Sequence, residues 1–135
     1  MSKRFSERAQ RVILIAHEET KRLKHETVKP EHMLLGLIAL GEGLGMRILT
    51  ACVGANPRSL RKLTESALGP GTIVDLLLGE FPFDSADKKI LEYSVEEAQR
   101  LHQDTVGTEH LLLGLLRVEQ TTLILEKTGA TYDAV

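Results

Sequence analysis

An internal repeat constrains this chain more than any other feature. Shifting residues 5–37 by 78 positions lays them, without a gap, on residues 83–115, and 13 of the 33 positions are identical. Ordinary composition gives about 2 such matches. The identities include Glu18, Glu19, Arg22 and Leu23 with Glu96, Glu97, Arg100 and Leu101, and Thr27-Val28 with Thr105-Val106. The most extended block pairs Glu31-His32-Met33-Leu34-Leu35-Gly36-Leu37 with Glu109-His110-Leu111-Leu112-Leu113-Gly114-Leu115. A chain built this way is expected to form two similarly folded helical units related by an approximate two-fold axis.

Within each copy the apolar positions recur at helical spacing. Ala9, Val12, Ile13, Ala16, Thr20 and Leu23 line one stripe, and Ile90, Leu91, Ser94, Ala98 and Leu101 line the other. Each copy therefore opens with a long amphipathic helix, capped by Ser6 in the first and by Asp84 or Ser85 in the second. A second helix starts near Pro30 or Thr108 and carries the Leu-Leu-Gly-Leu core sequence. In the first copy Gly41-Glu42-Gly43 breaks the chain before a third helix over residues 44–53. Asn56, Pro57 and Gly69 frame a fourth over 58–68.

Residues 70–82 read as the connection between repeats, unusually apolar at 73–78, where a strap packed on the core is expected. The second copy supplies a third helix at about 122–128 and then runs out before a fourth. The exposed side of that helix is expected to lie open, to be filled by the apolar connection, or to be buried on another chain. The fold class is all-α: two pseudo-symmetric four-helix repeats over 5–69 and 83–135, the second truncated, within a single domain.

Composition narrows the function. With 135 residues, 42% hydrophobic and 27% charged, the chain is large and apolar enough for a core without disulfides or metal. A net charge of −2 provides no positive field for phosphate backbones or anionic bilayers, so no nucleic acid or membrane partner is expected. No apolar stretch reaches the ~18 residues of a membrane helix, and a cytoplasmic location, or the plastid stroma in a plant, is expected. Cys52 sits in an apolar segment and reads as a buried hydrophobe. Gly41-x-Gly43-x-Gly45 follows a helix rather than a strand, and the chain has no Gly-Lys dipeptide, so no nucleotide loop is read there. Adjacent Glu-His pairs project about 100° apart on a helix, which suits neither a metal nor an acid/base dyad. No cofactor or metal is expected, and His32 and His110 read as packed or capping residues.

At this point the paired helix, turn and Leu-Leu-Gly-Leu units resemble the Clp N-terminal domain of ClpC- and ClpA-like unfoldases. Residues 96–101 and 106–117 carry the resemblance most strongly, with 5–10 and Glu31-His32 in the first copy. The resemblance implies a non-catalytic module that brings protein substrates or adaptor proteins to a Clp AAA+ ATPase ring, covalently attached or associated. In ClpC-like members it also implies recognition of phosphorylated arginine, with Glu109 and Glu31 facing the guanidinium. Thr108, with a hydroxyl and the free amides of a helix start, suits a phosphate. Pro30 removes both donors in the first copy, where Lys29 supplies a charge instead. Phe81 and Phe83 form either a staple for the long helix or an apolar patch for a partner. The rival readings are a free-standing accessory subunit, a small helical enzyme using Glu109 and His110, and a DNA-binding face at Arg58, Arg61 and Lys62.

Overall fold

The computed structural model describes residues 4–25, 27–69 and 85–133. Its elements run β1 (Arg4–Phe5), α1 (Glu7–Arg22), α2 (Pro30–Leu40), α3 (Leu44–Arg47), α4 (Pro57–Leu68), α5 (Ser85–Arg100), β2 (Thr105–Val106), α6 (Thr108–Leu115) and α7 (Glu119–Glu126). The expected connection, including Phe81 and Phe83 and the apolar run 73–78, lies outside the described residues. So does the side chain of Cys52.

Local chemistry explains where the helices begin and end. Ser6 accepts a hydrogen bond from the Ala9 amide at 3.0 Å, and Asn56 accepts from Arg58 and Ser59 at 2.9 and 3.1 Å. Pro30 and Pro57 occupy first-turn positions, where the missing amide costs nothing. Gly41 takes a left-handed conformation (φ 67°) that ends α2.

Two expected boundaries need correction. The third helix of the first repeat is α-helical only to Arg47; residues Ile48–Val53 wind more loosely as a π-helix before Gly54 (φ 81°). Its counterpart in the second repeat is Glu119–Glu126, not 122–128. The period of the apolar residues marks a face, whereas Val118 in an extended conformation sets the start.

The offset of 78 holds down to individual contacts. A methyl on Gly36 would lie 2.5 Å from the Val12 carbonyl oxygen, and one on Gly114 would lie 2.9 Å from that of Ile90. Val12 and Ile90 are themselves 78 apart, as are Gly36 and Gly114. Both repeats thus use a glycine at one register to bring the second helix against the backbone of the first.

The core joins the repeats rather than filling each separately. Met33, Leu34 and Leu37 of α2 belong to the same buried cluster as Leu111, Leu112 and Leu115 of α6 and Leu125 of α7. Helix α7 packs on α2 and α4, so Ile124 and Leu125 are buried while Leu123 remains 54% exposed. One side of α7 is thus covered by the first repeat's helices and another lies open at Leu123, while the expected filling by the apolar connection lies outside the described residues. Beyond α7 the described chain makes only a turn, anchored by Tyr132 on Glu97.

Candidate functional site

The two repeats meet where α6 begins. β1 pairs in parallel with β2, Arg4 beside Thr105 and Phe5 beside Val106, and the Ser6 amide extends the pairing to the Val106 carbonyl at 2.8 Å. This lays the start of α1 across the entrance to α6. From another side α3 approaches end-on: the Gly45 amide donates to the Thr108 hydroxyl oxygen at 2.9 Å. A side chain on Gly45 would sit 2.7 Å from the Thr108 carbonyl oxygen, and one on Gly43 (φ 94°) would sit 2.7 Å from the Thr108 hydroxyl. These glycines let two backbones touch, which is the use their spacing has here. Because the first obstruction at Gly45 is backbone, Gly45→Ala is expected to lower stability by about 1–3 kcal/mol. Urea unfolding checks this; an unchanged midpoint would contradict the close approach.

The result is an open groove lined by Ser6, Arg8, Leu44, Asp104, Gly107 and Glu109, with Thr108 at its base. Thr108 is buried and its oxygen is engaged by Gly45. The groove carries the amides of Thr108 and Glu109, which have no acceptor within their own helix, the Arg8 guanidinium and the Asp104 and Glu109 carboxylates, while the His110 amide is taken by the Gly107 carbonyl at 3.1 Å. Arg8 contacts Glu42 at 3.4 Å with both side chains largely exposed. Such a pair is worth little and exchanges readily for a better anion. Glu109 folds back against Gly107, close enough that a side chain at position 107 would strike its carboxylate.

The first repeat places Glu31 and Lys29 at the start of α2 but does not reproduce this arrangement. Lys29 stands where the second repeat has Gly107, so a side chain occupies the position onto which Glu109 folds in the second repeat. Pro30 is buried and has no amide hydrogen. Lys29 and Glu31 share the α2 start, whereas Thr108 and Glu109 share the inter-repeat groove; the structure does not bring the two pairs into one site.

Both histidines of the Glu-His pairs are buried structural residues. His32 Nδ1 accepts from the Lys29 amide at 2.9 Å, and His110 Nδ1 accepts from the Gly107 amide at 2.8 Å. Each satisfies the amide that precedes its helix, and each is almost fully buried. His110 is therefore buried and committed to the Gly107 amide. In His32 burial, then His25 and Lys29, push the imidazole pKa down to about 3.

Arg61 bonds Glu19 at 3.0 Å and Glu65 at 3.3 Å. Sequence reading missed Arg8, Gly43 and Gly45 as groove residues. The partners of Gly45 lie 63 positions away, beyond the reach of any periodicity.

The groove is thus built from helix starts, with Gly43 and Gly45 against Thr108, and it carries the Asp104 and Glu109 carboxylates and the exposed Arg8 guanidinium within an all-α domain. Residues 4–133 match the Clp repeat (R) N-terminal domain, and the chain belongs to that family. It is 41% identical over 132 residues to the chloroplastic ClpA homolog ATP-binding subunit of an ATP-dependent Clp protease from Brassica napus, covering 96% of this chain and 15% of that protein. Identity is also 41% over 132 residues to chaperone protein ClpC1, chloroplastic, of Arabidopsis thaliana, covering 96% of this chain and 14% of that protein. The chain thus spans about one seventh of the curated relatives it matches. Among solved structures, the N-terminal domain of ClpD from Arabidopsis thaliana superposes with TM-score 0.74 at 26% identity, over 96% of this chain and 88% of that one. The Hsp104 N-terminal domain from Candida albicans superposes with TM-score 0.81 at 18% identity, over 98% and 86%. The latter shares the fold.

Proposed function

We propose that this domain is a non-catalytic module that captures protein substrates or adaptor proteins for a Clp-type AAA+ ATPase ring, and that the inter-repeat groove is its capture site. The observation that carries the reading is the pairing of opposite charges across one groove: the Glu109 carboxylate beside the α6 start and the Arg8 guanidinium on α1. A phosphorylated arginine side chain matches that polarity, its guanidinium facing Glu109 and its phosphate facing the α6 amides and Arg8. Charge-assisted bonds of this kind contribute roughly 1.5–3 kcal/mol each where water is partly excluded. Family membership supports the module reading, since the named relatives are Clp ATP-binding subunits and chaperones.

Titrating a phosphoarginine-bearing peptide into ¹⁵N-labelled protein tests where capture occurs. The amides of Gly107, Thr108 and Glu109 are expected to shift together with Arg8. Shifts confined to the α2 start would contradict the assignment. Shifts confined to exposed Leu14 or Leu123 would leave a module that captures apolar segments instead.

A further inference from the structure

The two repeats share a buried histidine at the start of their second helix, but only the first adds another histidine beneath it. At the position 78 residues from His25 the second repeat has Gln103. His25 follows the turn that ends α1, where Lys24 is left-handed (φ 60°) and the His25 amide bonds the Thr20 carbonyl at 3.0 Å. That turn aims its ring at His32: His32 Nε2 and His25 Nδ1 are 3.0 Å apart, and His25 Nε2 lies 3.2 Å from the Gly69 carbonyl oxygen. His25 is 6% exposed and His32 is not exposed at all.

The proton positions follow from the ends of this chain of contacts. The Lys29 amide donates to His32 Nδ1, so that nitrogen carries no proton and Nε2 does. His32 Nε2–H then donates to His25 Nδ1, which leaves His25 Nε2–H to donate to Gly69. Every link has one donor and one acceptor, and both rings are neutral. An added proton on His25 Nδ1 would face the N–H of His32, and one on His32 Nδ1 would face the amide of Lys29. Either breaks a link.

We propose that His25 and His32 form a proton-operated latch that ties the α2 start to the end of α4 in the first repeat alone, and that acidification opens it more steeply than it opens the second repeat's helix start. The surrounding charges favour opening on the same side. Burial is the main force against a proton on either ring, followed for His32 by the neighbouring His25; the Gly69 carbonyl works the other way on His25, and Lys29, at the head of α2, opposes the proton on both. The ionised groups of α1 and α4 nearby, Glu19, Arg22, Arg61 and Glu65, are paired with one another. The imidazolium would also stand at the positive end of the α2 dipole. The consequence is a domain whose Lys29 and Glu31 end loosens with falling pH ahead of its Glu109 groove.

Amide hydrogen exchange on the intact chain reads both helix starts at once. Below the usual imidazole pKa of about 6.5, each histidine that gains a proton on opening makes opening about tenfold more favourable per pH unit. Two histidines open with Lys29 and one with Gly107, so between pH 6 and 5 the Lys29 protection factor is expected to fall more steeply than that of Gly107. His25→Gln copies the second repeat, retains a donor for Gly69 and an acceptor for His32, and should make the two slopes equal. Parallel slopes in the unmodified chain, or a steeper Lys29 slope that survives His25→Gln, would overturn the latch. Should the variant fail to fold, long-range ¹H–¹⁵N spectra of the unmodified protein decide. The latch requires protonated Nε2 on both His25 and His32 above pH 7, and a protonated Nδ1 on either contradicts it.

Discussion

Gly36→Ala is expected to destabilise this domain by about 3 kcal/mol, although alanine is the better helix former by about 1 kcal/mol. The added methyl would meet the Val12 carbonyl oxygen at 2.5 Å and the Ala16 amide nitrogen at 3.2 Å. Both are backbone atoms of α1, so no side chain can swing away and the two helices must separate. Met33, Leu34 and Leu37 on α2 would lose their packing as they do so. Gly114→Ala should cost less. Its nearest obstacle is the Ser94 hydroxyl at 2.8 Å, followed by the Ile90 carbonyl oxygen at 2.9 Å, and a hydroxyl can rotate. Urea unfolding of both variants checks the order, and a Gly36→Ala midpoint at or above that of the unmodified chain would contradict the helix contact.

The second large effect is expected at Glu97. Its side chain is only 3% exposed and receives Arg100 at 2.8 Å, Arg117 at 3.1 Å and the Tyr132 hydroxyl at 2.8 Å. Arg117 also lies over the Tyr93 ring, 4.0 Å from its centre. Glu97→Ala strips the acceptor from three donors at once. Because both arginines retain access to water, the loss should be about 2–3 kcal/mol, below that of a fully buried pair. It should also free the turn at Tyr132 that closes the second repeat.

Desolvation raises the Glu97 pKa, but the bonds from Arg100 and Tyr132 and the charges of Arg100 and Arg117 outweigh it, and the net direction is down. A carboxylate with a lowered folded pKa contributes stability above the ordinary carboxylate range and loses it as pH falls through the folded value. The Glu97→Ala variant should therefore be less acid-sensitive below pH 5 than the unmodified protein. Equal acid unfolding profiles would show that this carboxylate is not what the acid titrates.

Much of this architecture is legible in the sequence, for reasons particular residues make plain. The 78-residue offset places Gly36 and Gly114, Val12 and Ile90, and His32 and His110 in matching roles because each role depends on neighbours three to seven positions away or on one helix crossing. Ser6, Asn56, Pro57 and Gly69 mark helix ends through chemistry local to those ends. The groove was only half legible: Glu109 and Thr108 belong to a motif, whereas Arg8 and Gly45 reach them across the repeat boundary. The pairing of Arg4–Phe5 with Thr105–Val106 involves two residues on each side, too few to leave an alternating pattern. Arg61 reads as surface charge in sequence because Glu19, its partner, lies 42 positions earlier on a different helix. The burial of α7 by α4 follows from the way the repeats face each other, which no single repeat encodes.

The central claim is that ligand capture rests on the second repeat's helix start, and calorimetric titration of free phosphoarginine tests it most directly. Losing one charge-assisted contact of roughly 1.5–3 kcal/mol weakens binding by about tenfold or more. Glu109→Ala is therefore expected to reduce affinity by at least severalfold. Glu31→Ala should reduce it less, because Pro30 donates nothing and Lys29 fills the place of Gly107. Equal losses in the two variants, or no binding by the unmodified chain, would contradict the account.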